Sequence, residues 1–403
     1  MRRIILGIML LILTAAHVCF GEQDIHQRSK LLEQVWNITE QRCLDPTFNG
    51  HDPSTIRRRF LDIQYASVEQ EHAAARGILE LLGDPQTRFL TAEELTSTVQ
   101  EFSGQIGGVG LADIWLVRDR KSGGLRILHV IAGSPAFRSG IRPGDLVVAI
   151  DGMAANKLNR DEVLMRSRGP VGTFVEFDIR RGRQHLKLTM KREALMSHTV
   201  IFQAIDDHGR KIGYVRLSQF AKTSAQQLRD ALFSLNKLGV DGFVLDLRNN
   251  PGGFVPAARE IAGFFLPPNT LIYRSVDRTS KPQAFTTDDR QITTKPLVVV
   301  VNRATASAAE ILAGALQQDH RARLVGTQTF GQGLIHSVQP LADGSGIVIA
   351  VAHFETPNGS DIRRKGLTPD RKAASAEIPS HESLSPSDPQ YREALALLTA
   401  ELG

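Results

Sequence analysis

Ser307 lies in Arg303-Ala-Thr-Ala-Ser-Ala-Ala-Glu-Ile311, directly after the apolar run Pro296-Leu-Val-Val-Val-Val-Asn302. That order predicts a buried strand, a sharp turn and a helix whose first turn carries the serine. Small neighbours leave room for a peptide backbone. The N–H groups of Ser307 and Ala308 belong to a helix N-terminus, where negative charge is favoured. A serine so placed can act as a nucleophile; equally, it or Thr305 can do no more than cap the helix. A second turn, in Leu245-Asp-Leu-Arg-Asn-Asn-Pro-Gly-Gly253, joins another apolar run to a helix. It leaves backbone N–H groups of Gly252 and Gly253 at a strand's carboxyl end, where they can receive an oxyanion, or it is an ordinary connection. A third stretch, Gly107, Gly108, Val109, Gly110 and Leu111, precedes a strand. Its clustered N–H groups can hold a peptide carboxylate while the peptide adds a strand alongside, or they form a plain tight turn. The spacing is wrong for a dinucleotide loop and no long helix follows. The 12 His form no H-E-x-x-H pair, so neither a metal nor a cofactor is expected.

These turns need a framework. From about residue 200 strand and helix patterns alternate: Ile212–Leu217, Ser224–Leu238 (helix), Gly242–Leu247, Val255–Phe265 (helix), Pro296–Val301, Ala306–Gln317 (helix) and Ala322–Val325. Such alternation implies a mostly parallel sheet with crossover helices. Segment 335–353 alternates once more. Residues 22–100 repeat apolar positions at helical spacing, with no strand-like alternation. Between them, short β-like runs at Leu125–Ile131, Leu146–Ile150 and Phe174–Ile179 make a small strand-rich module. The expected fold is therefore α/β and multidomain: a helical N-terminal region, a β-rich module and a β/α core with a mixed sheet. The divisions are 22–100, 101–195 and 196–375, then a Ser/Pro/Asp-rich linker and a terminal helix over 376–403.

At 403 residues, with 42% hydrophobic and 23% charged residues, the chain is ordinary globular protein of two or three domains. A net charge of +5 without a dense basic stripe argues against nucleic acid as partner. The only cysteines, Cys19 and Cys43, build no disulfide framework. Arg2 and Arg3, the apolar run Ile4–Val18 and the small residues before Glu22 describe a Sec-type secretory leader over 1–21, cleaved or kept as an anchor. Export to a periplasm or a thylakoid lumen follows.

Ser134-Pro-Ala-Phe-Arg-Ser-Gly-Ile-Arg-Pro-Gly-Asp145, leading into Leu146-Val-Val-Ala-Ile-Asp-Gly152, resembles a PDZ domain with its Gly loop at 107–111. The resemblance implies capture of a free peptide C-terminus. A wider likeness runs through "DPQTRFLTAEE" (84–94), "GYVRLSQF" (213–220), "LDLRNNPGG" (245–253), "ASAAEILAGALQ" (306–317), "LVGTQTFGQG" (324–333), "PLADGSG" (340–346), "TPNGSDI" (356–362) and "KGLTPD" (365–370). These motifs, in this order, resemble the carboxyl-terminal processing peptidases, or tail-specific serine proteases. The branch looks cyanobacterial and chloroplast-like, whose members trim a photosystem reaction-centre protein. The likeness implies an exported endopeptidase that grips C-terminal tails of exported or membrane proteins; oligomeric state is left open.

Carried across, Ser307 is the nucleophile and the oxyanion hole uses Ala308 with Gly252 or Gly253. The family's general base is the lysine of "FGKG", supported by a glutamine four residues on. Here those positions are Gln332 and His336, and 25 residues separate Gln332 from Ser307 as the family requires. An amide has no useful basicity, and losing one member of a catalytic set lowers turnover by about four to six orders of magnitude. An imidazole at 336 is a suitable substitute base near neutral pH, or a polar filler beside Gln332. His353 and Lys365 align with no catalytic position of the family. Two expectations stand: a serine endopeptidase, or a tail-binding pseudoprotease acting as adaptor.

Overall fold

The computed structural model describes residues 19–111, 116–118, 124–127, 130–158, 160–374 and 388–403. The leader expected at 1–21 therefore lies outside them up to residue 18, as does most of the linker. Among the described residues no helix is long and apolar enough to cross a membrane. The chain divides into two compact units. One holds the residues up to Leu95 with Asp277–Lys281 and Ile335–His353, and the other holds Thr96–Val276, Pro282–Leu334 and Phe354–Gly403.

The first unit opens with α1 (Cys19–Arg42), α2 (Pro53–Phe60) and α3 (Val68–Glu80). Asp52 and Ser67 cap α2 and α3 by accepting backbone N–H bonds from Thr55 and Gln70. Contrary to the purely helical expectation, a short strand β1 (Arg88–Leu90) follows. It is too short to show alternation, and its partner is a strand more than 250 residues away in sequence, so local pattern carries no trace of it. α4 (Ala92–Ser103) comes next.

The PDZ-like module begins at β2 (Gln105–Gly108) and continues through β3 (Leu116–Arg118), β4 (Leu125–Ile127), the short α5 (Pro135–Arg138), β5 (Leu146–Ile150), β6 (Met153–Ala154), α6 (Arg160–Ser167), β7 (Phe174–Arg181), β8 (Gln184–Lys191) and β9 (Glu193–Met196). Its sheet runs β3-β4-β5-β7-β8 with β6 beside β5, while β2 pairs separately with β9. Val109, Leu111, Ile127, Val147, Phe177 and Ile179 bury together as its core.

The core sheet comprises β10 (Val200–Asp207), β11 (Arg210–Leu217), β12 (Gly242–Asp246), then β15 (Leu297–Val301), β16 (Arg323–Gly326) and β19 (Arg371–Lys372), in that spatial order; β13 (Leu271–Asp277) and β14 (Pro282–Thr286) pair antiparallel as part of another, five-stranded sheet. β10 and β11 are antiparallel and every later pair is parallel. The crossovers carry α7 (Ser224–Lys237), α8 (Val255–Ala262) and α9 (Ala308–Gln318). On one face Val244, Val298, Val300 and Val325 pack against Tyr391, Ala394 and Leu398 of α10 (Pro389–Leu402). On the other, Phe243 lies toward Leu235 of α7. Both faces are covered, which is why these strands read as unbroken apolar runs. Two helices differ from expectation: α9 starts at Ala308 because the turn before it is bonded as a loop, and α8 stops at Ala262. β17 (Leu334–Pro340) pairs with β18 (Gly346–Glu355), and Arg88–Leu90 of β1 runs antiparallel to Gly346–Val348. Trp36, Ile78, Leu79, Phe89, Ile347 and Ile349 form the buried core of the first unit.

Candidate active site

The loops that leave β11, β12, β15 and β16 emerge at the carboxyl ends of the parallel strands, where α/β sheets place their ligands. They are stitched to one another by backbone and amide bonds. Asn250, fully buried, donates its side-chain N–H to Leu217 O (2.8 Å), and its own carbonyl accepts from Ala306 N (2.9 Å). Asn302 accepts from Asn249 N (3.0 Å) and donates to the Asn249 side chain (2.8 Å). The Thr305 hydroxyl donates to Leu247 O (2.8 Å). Thr305 therefore ties two loops together.

Ser307 sits between this loop and α9 with φ 53° and ψ −120°. A serine at positive φ is strained and persists only where its surroundings fix it; a nucleophile raised on a strand-to-helix elbow has this character. Gly252 must be glycine, because a Cβ there would stand 2.7 Å from Ser307 Cβ and 2.9 Å from Ala308 N, at φ +94°. The same figures show how closely the Pro-Gly-Gly loop abuts the serine. Gly252 donates its own N–H to Asn250 Oδ1 (2.9 Å), whereas the N–H groups of Gly253 and Ala308 have no acceptor among the described residues.

Glu310, one turn into α9 and fully buried, organises the other side. One carboxylate oxygen accepts from Ser307 N (3.0 Å) and from Gln332 N (2.9 Å), the other from Gly331 N (2.7 Å) and the Thr329 hydroxyl (2.5 Å). Burial pushes its carboxyl above the ordinary value even against these four bonds. Gln332 is thus held beside the elbow through its backbone, and its side-chain amide has no partner among the described residues. Phe330 N donates to Thr305 O (3.0 Å), while the Phe330 ring is 59% exposed.

Beneath the Pro-Gly-Gly loop, Arg248 binds Asp246 (2.6 Å) and Asp388 at the start of α10 (2.6 Å), and the Tyr214 hydroxyl donates to Asp246 (2.6 Å). Burial raises Asp246, but the Arg248 charge overcomes it and leaves the carboxyl below its usual range. In the first unit, His336 Nε2 lies 2.8 Å from Asp84 Oδ2, both side chains being mostly covered. Burial works to raise Asp84, yet the bonds from His336 and Thr87 draw it down to about 2. In the β-rich module, Val109 and Leu111 are core residues, and Gly107 passes so close to Gly169 O that a Cβ would meet it at 2.2 Å. Gly108 is buried, and Gly110 adopts φ +94°.

Three roles escaped the sequence reading. Glu310 had a signal, the Ser-x-x-Glu spacing of a capping box at 307–310. Asn250 and the Asp246–Arg248–Asp388 cluster had none that distinguishes them from surface polar residues.

The model of peptidase family S41 matches residues 211–373, and that of the PDZ domain matches residues 126–181. A carboxyl-terminal-processing protease of Synechocystis sp. is 39% identical over 376 residues, covering 93% of this chain and 87% of the relative. Carboxyl-terminal-processing peptidase 2, chloroplastic, of Arabidopsis thaliana is 35% identical, covering 85% of this chain and 68% of the relative. Among solved structures, a photosystem II D1 C-terminal processing protease superposes with a TM-score of 0.58 at 32% identity, covering 86% of this chain and 92% of that one.

Proposed function

Because the chain belongs to the carboxyl-terminal-processing proteases of peptidase family S41, with a PDZ domain, we propose that it binds free C-terminal tails and hydrolyses peptide bonds with Ser307 as nucleophile. Ser307 Oγ would add to the scissile carbonyl carbon and lose its proton to a base. The carbonyl oxygen would take negative charge opposite the free N–H groups of Gly253 and Ala308. Collapse would break the C–N bond, the leaving amine taking a proton, and water would then release the acyl group. The observation that carries this reading is the strained Ser307 set against a glycine loop that only glycine fits, with two unpaired N–H donors alongside. Gly252, whose N–H is taken by Asn250, fits the role of spacer better than that of donor.

The base is the altered part. Gln332 cannot accept the proton. His336 is the proposed substitute base, and its Nε2 is already bonded to Asp84. Gln332 itself favours a second reading, a pseudoprotease that binds tails through residues 107–111 and does not cut. Residues 1–21 are proposed to direct export. Mass spectrometry of products from unfolded proteins with free C-termini, between about pH 5 and 9, separates the readings. Cutting that depends on pH and is lost in both Ser307→Ala and His336→Ala supports the serine–histidine protease. Tail binding without any cutting supports the pseudoprotease.

A further inference from the structure

The segments that build the site carry an uneven charge. Residues 218–224, 247–254, 302–310, 327–333 and 361–367 contain two acids, Glu310 and Asp361. Glu310 is buried and fully bonded inside the elbow, and Asp361 is paired with Arg363 at 2.7 Å. Arg303, Arg364 and Lys365 are all exposed, and none of the three side chains has an ion-pair partner among the described residues. Arg303 lies on the turn that leads to Ser307. Arg364 and Lys365 belong to the segment laid against the Gln332 loop: Arg364 N donates to Gly331 O (3.0 Å), and a Cβ on Gly331 would stand 2.8 Å from Lys365 N. A carboxylate does reach the 218–224 segment from outside, Glu101 accepting from the Gln219 amide, so Lys222 does not share this uncompensated charge.

Unpaired cations of one sign around a cleft draw and orient ligands of the other sign. Together with the exposed Phe330 ring, this surface matches a peptide with an apolar side chain and neighbouring carboxylates. We infer that the segment processed at this site is anionic next to the scissile bond, its carboxylates belonging to Asp or Glu side chains or to the chain terminus itself. The inference rests on Ser307 being the reacting residue, since that choice makes the segments that carry these cations the ones around the cut. It assigns the discrimination to the protease core, separately from the PDZ domain.

The test uses the full chain and four fluorescent peptides sharing one apolar core: Glu-flanked or Gln-flanked, each with a free or an amidated C-terminus. Binding is read by anisotropy at low and high salt, and cleavage is read in Gln332→Lys. Arg364→Glu/Lys365→Glu and Arg303→Glu are the reporting variants, chosen at exposed positions so that folding is spared. Glu flanks are expected to tighten binding about three- to tenfold, an advantage that salt erases and charge reversal removes. A preference for the free terminus over the amide, lost in the same variants, assigns the carboxylate to the chain end instead. Equal binding of all four peptides overturns the inference, as does a preference that charge reversal leaves intact, which belongs to the PDZ domain. Equal cleavage of all four by Gln332→Lys sinks the charge inference and leaves the peptidase reading standing. Charge-dependent binding with no cleavage in that variant does the reverse.

Discussion

Glu310 accepts the backbone N–H of Ser307 at 3.0 Å with the same oxygen that accepts Gln332 N–H at 2.9 Å. One buried carboxylate thereby fixes both the backbone of Ser307, the proposed nucleophile, and the loop that bears Gln332. Under the proposed function, this clamp would hold the site together even with Gln332 in place of a lysine.

Glu310→Gln tests that arrangement. An amide would turn an NH2 toward N–H donors, leaving buried groups unmatched at a cost of about 1–3 kcal/mol. The pH dependence has a defined sign. Because burial raises the Glu310 carboxyl, the folded state holds its proton longer than the unfolded chain does. Stability from this group is therefore greatest below the ordinary carboxylate range and falls as pH rises through its raised value. Thermal unfolding across that range should show the slope in the unaltered chain and lose it in Glu310→Gln.

Asp84 behaves oppositely. Its carboxyl is held at about 2 by His336 and Thr87 against the cost of burial, so its contribution is complete above about 4 and lost as pH falls towards 2. At 1.36 kcal/mol per pKa unit, the drop from 3.8 is worth on the order of 2 kcal/mol. Acid titration of stability should be correspondingly flatter in Asp84→Asn. An unchanged acid limb would remove the pair from the account.

Gly253→Ala should be among the most damaging small substitutions. The new Cβ would lie 2.2 Å from Phe220 O at a backbone φ of +126°. A loss of more than about 2 kcal/mol is expected, with the proposed oxyanion donor, the Gly253 N–H, displaced. Calorimetry and tail-cleavage assays on the same preparation check both parts.

Arg248→Met should loosen α10. It strands the buried carboxylates of Asp246 and Asp388, and breaking such a cluster from one side costs about 3–5 kcal/mol. Hydrogen exchange should rise across 389–402 and in β12 before it rises elsewhere.

The β/α alternation is legible because strands covered on both faces are continuous apolar runs; the small residues around Ser307 and the Pro-Gly-Gly turn mark two strand-to-helix turns, but their roles come only from the family resemblance. The apolar pattern puts the start of α9 at Ala306, two residues before the observed Ala308. Positive φ at Ser307 and the bond of Thr305 to Leu247 are tertiary outcomes that helix propensity does not contain. Strand β1 was invisible because its pairing spans most of the chain. The weight carried by Glu310 and Asn250 comes from which N–H groups surround them, and composition does not encode that.

The most direct measurement compares cleavage of unfolded, free-C-terminus proteins by Gln332→Lys and by Gln332→Lys/Ser307→Ala, with products read by mass spectrometry. If the elbow, the glycine loop and the Glu310 clamp form an intact cradle, supplying the amine should raise cleavage by orders of magnitude above the unaltered chain. The added Ser307→Ala change should abolish it. Cleavage that persists without the Ser307 hydroxyl, or a lysine variant that folds, binds tails and still does not cut, would contradict the account.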